Sequence, residues 1–157
     1  MAQLAAERLG ESIVHEISIT NVDKPPLDFT TMRERAEQFE VDETMWFTRA
    51  PTFAEKAAIF PGATFVVGAD TIARIAEARY YNNDRAKRDA AIASIIGRGC
   101  RFLVFGRTTG GGFANLRELN LPEPLMAACD EVPEASFRED VSSTELRREA
   151  TREGADQ

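Results

Sequence analysis

Two unbroken apolar runs, Thr64-Phe65-Val66-Val67-Gly68 and Arg101-Phe102-Leu103-Val104-Phe105, constrain the fold of this chain more than any other feature. A strand with one wet face alternates apolar and polar side chains, whereas a strand covered on both faces does not. Short continuous runs separated by helical sequence therefore read as strands of a parallel sheet. Between the two runs, Asp70 and Thr71 start one helix, and Ala86, Ala90, Ile92, Ala93 and Ile96 share the spacing of a second over 85–96. Gly97 and Gly99 break that second pattern before the next run begins.

The same alternation extends in both directions. Leu4, Ala5, Arg8 and Leu9 have helical spacing over 1–9, with Gly10 as a stop. Ile13 to Ile19 alternates like a strand and leaves through Asn21-Val22-Asp23-Lys24-Pro25-Pro26. Thr30 or Thr31 is expected to cap a helix that runs to Phe39, and Met45-Trp46-Phe47-Thr48 reads as a second strand. Pro51-Thr52 opens a helix that ends near Pro61-Gly62. Gly106 to Phe113, with three adjacent glycines, reads as a loop, and a last helix is expected from Ser142-Ser143-Thr144. The pattern predicts an α/β fold: a Rossmann-like parallel sheet with helices on both faces, one domain over 1–148 and a polar tail over 149–157. Ligands of such a sheet bind at the carboxyl ends of its strands.

With 157 residues, 43% of them hydrophobic and 29% charged, the chain can build a core of its own. A net charge of -7 argues against a nucleic-acid or anionic-membrane surface, which needs clustered Lys and Arg. Cys100 and Cys129 lie far apart without CxxC spacing, so a structural zinc site is not expected. No basic flank precedes an apolar segment at the amino terminus, and no run approaches the roughly 20 residues that span a bilayer. A cytoplasmic location is expected.

Two segments can carry chemistry. Val141-Ser142-Ser143-Thr144-Glu145-Leu146-Arg147 puts hydroxyl residues at a helix start, where free N–H groups and the positive end of the dipole suit a phosphate. Arg147 falls about one turn in, within reach of the same oxygens. Ser142 and Glu145 also have the spacing of an ordinary capping box, and local physics alone favours that reading. Gly68-Ala69-Asp70-Thr71 follows the strongest strand: Gly68 lets a ligand approach the backbone, and Asp70 can accept hydrogen bonds from ribose hydroxyls. A glycine turn with a helix cap explains the tetrapeptide equally well.

Together these segments resemble the nicotinamide and nicotinate mononucleotide adenylyltransferases of the cytidylyltransferase-like superfamily, whose late motif reads Ile-Ser-Ser-Thr-x-Ile-Arg and which place Gly-x-Asp after the fourth strand. Asn21 to Leu27, Phe65 to Thr71, Tyr80-Tyr81 and Phe105-Gly106-Arg107 share the look of nearer relatives, and the resemblance covers roughly residues 12 to 148. It implies transfer of an adenylyl group from ATP, with Mg2+, to a mononucleotide phosphate and release of pyrophosphate. Ser142, Ser143, Thr144 and Arg147 would hold the ATP phosphates, and Gly68, Asp70 and Thr71 would lie at the adenosine. Lys24 would meet the mononucleotide phosphate, Trp46 would stack on its pyridine ring, and Arg107 is a further phosphate contact. Lys24 and Arg107 also read as solvated loop cations, and Trp46 as a core filler. CTP in place of ATP, and a non-catalytic nucleotide-binding scaffold, are the alternatives. Small-molecule nucleotides are the expected partners.

One element of the resemblance is absent. The family's first strand leads to a His-x-Gly-His motif, and the single histidine here, His15, lies inside Ile13 to Ile19 and precedes Glu16. The chain is therefore expected to lack a central strand between 12–19 and 63–67, through a late start, a clipped chain or a degenerate form. Low turnover, and weak stability or association through the open strand edges, are expected to follow.

Overall fold

A helix, α1 (Ala2–Leu9), ends where Gly10 takes the left-handed conformation at φ 67° and its N–H donates to Ala6 O. The structure is a computed structural model that describes residues 1–22, 25–40, 43–109, 112–114 and 116–133. After α1 come β1 (Val14–Ser18), α2 (Phe29–Ala36), β2 (Thr44–Thr48), α3 (Phe53–Ile59), β3 (Thr64–Gly68), α4 (Ala69–Ala76), a 3-10 turn at Ala78–Tyr81 and α5 (Arg85–Gly97). The chain then forms β4 (Arg101–Phe105), a hairpin of β5 (Arg107–Thr109) and β6 (Gly112–Ala114), a second 3-10 turn, α6 (Glu123–Ala127) and β7 (Cys129–Val132).

The strands form two parallel sheets, β1-β2 and β3-β4-β7, beside the antiparallel β5-β6 hairpin. In the larger sheet Phe65 pairs with Phe102 and Gly68 with Phe105, and Phe102 to Phe105 pair in turn with Cys129 to Val132. Successive side chains of a strand point to opposite faces. Phe102 and Val104 accordingly join a core with Ala57 of α3, Ile72 and Ile75 of α4, Ile92 and Ile95 of α5 and Leu125 of α6. Leu103 and Phe105 join Ala5 of α1 and Val132 on the other face. Helices thus cover both faces of a parallel sheet, as the alternation predicts.

Three aromatic rings fasten α3 to this sheet: Phe53 meets Phe65 at 5.3 Å and Phe102 at 5.6 Å between centroids, both edge-on, and Phe65 lies 5.8 Å from Phe102. A capping box holds the start of α3, with Glu55 N–H donating to Thr52 Oγ1 at 3.3 Å and Thr52 N–H to Glu55 Oε2 at 3.0 Å. The same helix reaches the smaller sheet. The Lys56 ammonium donates to Glu16 Oε2 on β1, Thr48 Oγ1 donates to Glu16 Oε1, and Phe60 meets Trp46 of β2 edge-on at 6.0 Å.

Several expectations are corrected. Asp28, not Thr30 or Thr31, caps α2: its carboxylate accepts from Thr31 N–H at 2.7 Å, and the helix starts at Phe29 and ends at Ala36, three residues short of Phe39. The segment from Gly106 to Phe113, expected as a loop, contains antiparallel strand pairing, Arg107 with Ala114 and Thr109 with Gly112. Trp46 does not fill the core, since β2 is the outer strand of a two-stranded sheet and leaves the ring 52% exposed. β3 is less covered than its apolar run implies: only Val67 is buried. The helix expected from Ser142 lies outside the described residues. No described helix is long and apolar enough to cross a membrane.

Cys129 opens β7 and donates its S–H to Leu125 O at 3.1 Å. Burial, reinforced by the adjacent Asp130 carboxylate and opposed by Arg101, pushes its thiol up to about 11. Its folded thiolate fraction at pH 8 is about 100-fold below that of an ordinary thiol, so iodoacetamide should modify Cys129 about 100-fold more slowly before unfolding than after. Mass spectrometry of the alkylated peptide reads this. Equal rates in native buffer and in denaturant would contradict the half-buried placement.

Candidate functional site

Gly68 ends β3 and serves as the N-cap of α4 without any side-chain hydrogen bond to the helix start. Glycine has no side chain to offer as a cap, and α4 begins at Ala69 rather than at Asp70 or Thr71. Gly68 has an ordinary extended backbone, φ -82°, so its need for glycine is one of space: a Cβ would meet Asp70 Oδ1 at 2.9 Å. Asp70 thus folds its carboxylate back over the end of β3 from an exposed position, while Thr71 is half-buried and Ala69 and Ile72 anchor the turn in the core. An acid in the first turn offsets the positive end of the helix, so this corner favours hydroxyl donors over a bare phosphate.

The carboxyl end of β1 is tied to that of β2. Ser18 Oγ is within hydrogen-bonding distance of Thr20 O at 2.7 Å and Ala50 O at 2.8 Å, and Ile19 N–H donates to Thr48 O at 2.7 Å. Beside them Thr20 Oγ1 is buried without a hydrogen-bond partner among the described residues. A buried hydroxyl without a partner costs about 1–3 kcal/mol.

Of the residues singled out in the sequence, Gly68, Asp70 and Thr71 form one turn at the carboxyl end of β3. Trp46 is not brought to them: its contact is with Phe60, four residues before β3 begins, at the opposite end of the strand from Gly68. Arg107 lies in β5, two residues past the end of β4, on the Gly68 side of the sheet by register. Lys24, Ser142, Ser143, Thr144 and Arg147 lie outside the described residues. His15 is the second residue of β1, with Nε2 3.3 Å from Glu43 Oε1 and its ring 4.7 Å from Phe39, and is engaged as a strand side chain. Tyr80 and Tyr81 form the 3-10 turn after α4, where the Tyr81 hydroxyl donates to Ile75 O at 3.2 Å.

Sequence reasoning passed over an open cavity of about 300 Å³ between the start of α5 and the segment before α6, lined by Arg85, Arg88, Asn120, Leu121 and Pro122. Arg88 is already engaged there, with Ala76 O at 3.3 Å and Asp89 at 2.8 Å. Isolated arginines in a helical stretch give no sequence signal for such a pocket. Among the described residues no group of three or more His, Cys, Asp or Glu side chains is placed to hold a metal ion.

No protein-family model, curated protein or solved structure matches the chain.

Proposed function

We propose that this chain is a nucleotide-binding domain of the nucleotidyltransferase type, whose reaction is adenylyl transfer from ATP to nicotinamide or nicotinate mononucleotide. The carrying observation is the Gly68-Ala69-Asp70 turn: a bare backbone position at the carboxyl end of a parallel strand that opens directly into a helix, with a carboxylate folded over it. That combination suits the hydroxyls of a ribose, and the carboxyl edge is where open α/β sheets take their ligands. In the reaction an oxygen of the mononucleotide phosphate forms a bond to the α phosphorus of ATP. The bond from that phosphorus to its bridging oxygen breaks, and pyrophosphate leaves. The protein contributes positioning and charge stabilisation. Mg2+ would enter with the ATP phosphates as part of the substrate.

A second reading, nucleotide binding without turnover, is favoured by the engagement of the single histidine, His15, with Glu43 and Phe39 inside β1. Both readings require the Gly68 turn. Calorimetric titration with ATP is expected to give saturable heat by millimolar nucleotide. Asp70→Asn should weaken binding about 10-fold, the equivalent of about 1.4 kcal/mol for a hydrogen bond to a charged group. Gly68→Ala should do the same with little change in the thermal melt, because the added Cβ displaces the end of one exposed side chain rather than the backbone. Absence of heat at millimolar ATP, or wild-type affinity in both variants, overturns the proposal. An assay of NAD formation separates the two readings.

A further inference from the structure

Among the described residues β2 pairs with β1 alone, so its far edge is open. Ile19 N–H donates to Thr48 O at 2.7 Å, which turns the backbone of Thr48 toward β1, and with it that of Trp46 and Thr44 at the same phase of the strand. Met45 and Phe47 turn theirs the other way, and no backbone hydrogen bond among the described residues reaches them from that side. An open edge is normally blunted by a charge, a proline or a bulge, and Thr44-Met45-Trp46-Phe47-Thr48 has none of these. Charges stand only beyond its two ends. Glu43, before the strand, is held by Glu40 N–H at 2.8 Å and by His15. Arg49, after it, is exposed and has no ion-pair partner among the described residues. The exposed ring of Trp46 lies halfway between the two.

We propose that the open edge of β2 pairs with the same edge of a second copy of this chain. A two-fold axis brings identical edges together antiparallel, so that residue i faces j and j faces i. Centred on Trp46, the pairing sets Met45 opposite Phe47, Thr44 opposite Thr48 and Glu43 opposite Arg49, each of them twice. Threonine pairs, apolar–aromatic pairs and opposite charges are all favourable across an antiparallel ladder. The hydrogen-bond phase agrees with this register. Because the backbone of Trp46 faces β1, the two Trp46 residues form a non-hydrogen-bonded pair, in which side chains come closest, and Met45 and Phe47 of the two copies exchange N–H···O bonds in both directions. An axis on Met45 or on Phe47 would set Glu43 opposite Phe47 or Arg49 opposite Met45, and the charges would go unpaired. The segment from Glu43 to Arg49 thus reads as its own complement, which is what selects a second copy over an unrelated strand. A net charge of -7 on each copy opposes the contact as a whole, so the pairing depends on the local match of Glu43 with Arg49.

Sedimentation equilibrium of the full chain is expected to show a reversible monomer–dimer equilibrium. The emission of Trp46, the sole tryptophan, should move to shorter wavelength as the chain concentration rises. Glu43→Arg and Arg49→Glu should each weaken the dimer at least about 10-fold, because each sets like charges opposite one another at both ends of the ladder. An equimolar mixture of the two variants should regain the wild-type affinity, since the mixed dimer again has an acid opposite a base at both ends. That recovery requires both variants to be folded, so it separates loss of pairing from loss of structure. A chain that stays monomeric up to about 1 mM, the weak end of the affinity scale, overturns the proposal. So does a dimer indifferent to Arg49→Glu, or a mixture that associates no more tightly than either variant alone. None of these readouts involves ATP, so failure here is distinct from failure of the nucleotide site.

Discussion

Phe102→Ala is expected to lower the unfolding free energy by about 3–5 kcal/mol, the range for truncating a fully buried phenylalanine. The residue is 0% exposed on the central strand of the larger sheet and touches the rings of Phe53 and Phe65. Truncation removes the ring's own burial and leaves a cavity that two other rings cannot fill without giving up their edge-on contacts. Against a usual stability of about 5–15 kcal/mol, the loss should abolish most of the cooperative transition in urea. It should also silence the nucleotide site, because β4 sets the register that puts Gly68 opposite Phe105. Phe102→Leu, which keeps most of the volume, should cost about 1–1.5 kcal/mol and keep the transition. A loss below about 1 kcal/mol for the alanine variant would mean that the rings pack independently of one another.

Four strands were legible in the sequence, β1 as an alternating segment, β2 as a short apolar run, and β3 and β4 as unbroken apolar ones. β3 and β4 fall on the residues of the two apolar runs because both faces of that sheet carry helices. β7 was passed over, since Cys129-Asp130-Glu131-Val132 reads as polar; its acids find partners that only the fold supplies. Arg101 reaches Asp130 at 3.0 Å from the neighbouring strand, and Glu131 Oε1 accepts from Leu116 N–H at 2.7 Å. α6 escaped notice because five residues opened by Glu123-Pro124 are too short for a helical period to emerge. The Asp28 cap was masked by two threonines downstream that compete for the same role. At the candidate site the Gly68 turn was legible, for it joins a strand to a helix without intervening residues. The position of Trp46 was not: an apolar run does not disclose whether its strand will be central or outermost.

The pair of Glu16 and Lys56 is the polar counterpart of the Phe102 cluster, and its loss is expected to act on the other half of the molecule. The two side chains are 16% and 15% exposed, between a surface pair worth about 0–1 kcal/mol and a buried one whose disruption costs about 3–5 kcal/mol. Glu16→Gln should therefore cost about 2–3 kcal/mol, leaving the Lys56 ammonium largely covered and without a counter-charge. Lys56→Met should cost less, because Glu16 keeps the Thr48 hydroxyl and the methionine keeps the aliphatic packing near Phe53, whose ring centroid lies 5.6 Å from the ammonium. Combining Glu16→Leu with Lys56→Met removes both charges and should recover most of the loss, giving a coupling of about 1–2 kcal/mol in a double-mutant cycle followed by urea denaturation. The location of the damage is the sharper signature. These two residues tie β1-β2 to the helix that also holds β3-β4, so the single variants should speed amide exchange in Val14–Ser18 and Thr44–Thr48 before any change reaches Arg101–Phe105. Uniform acceleration across both sheets would instead mean that they unfold as one unit.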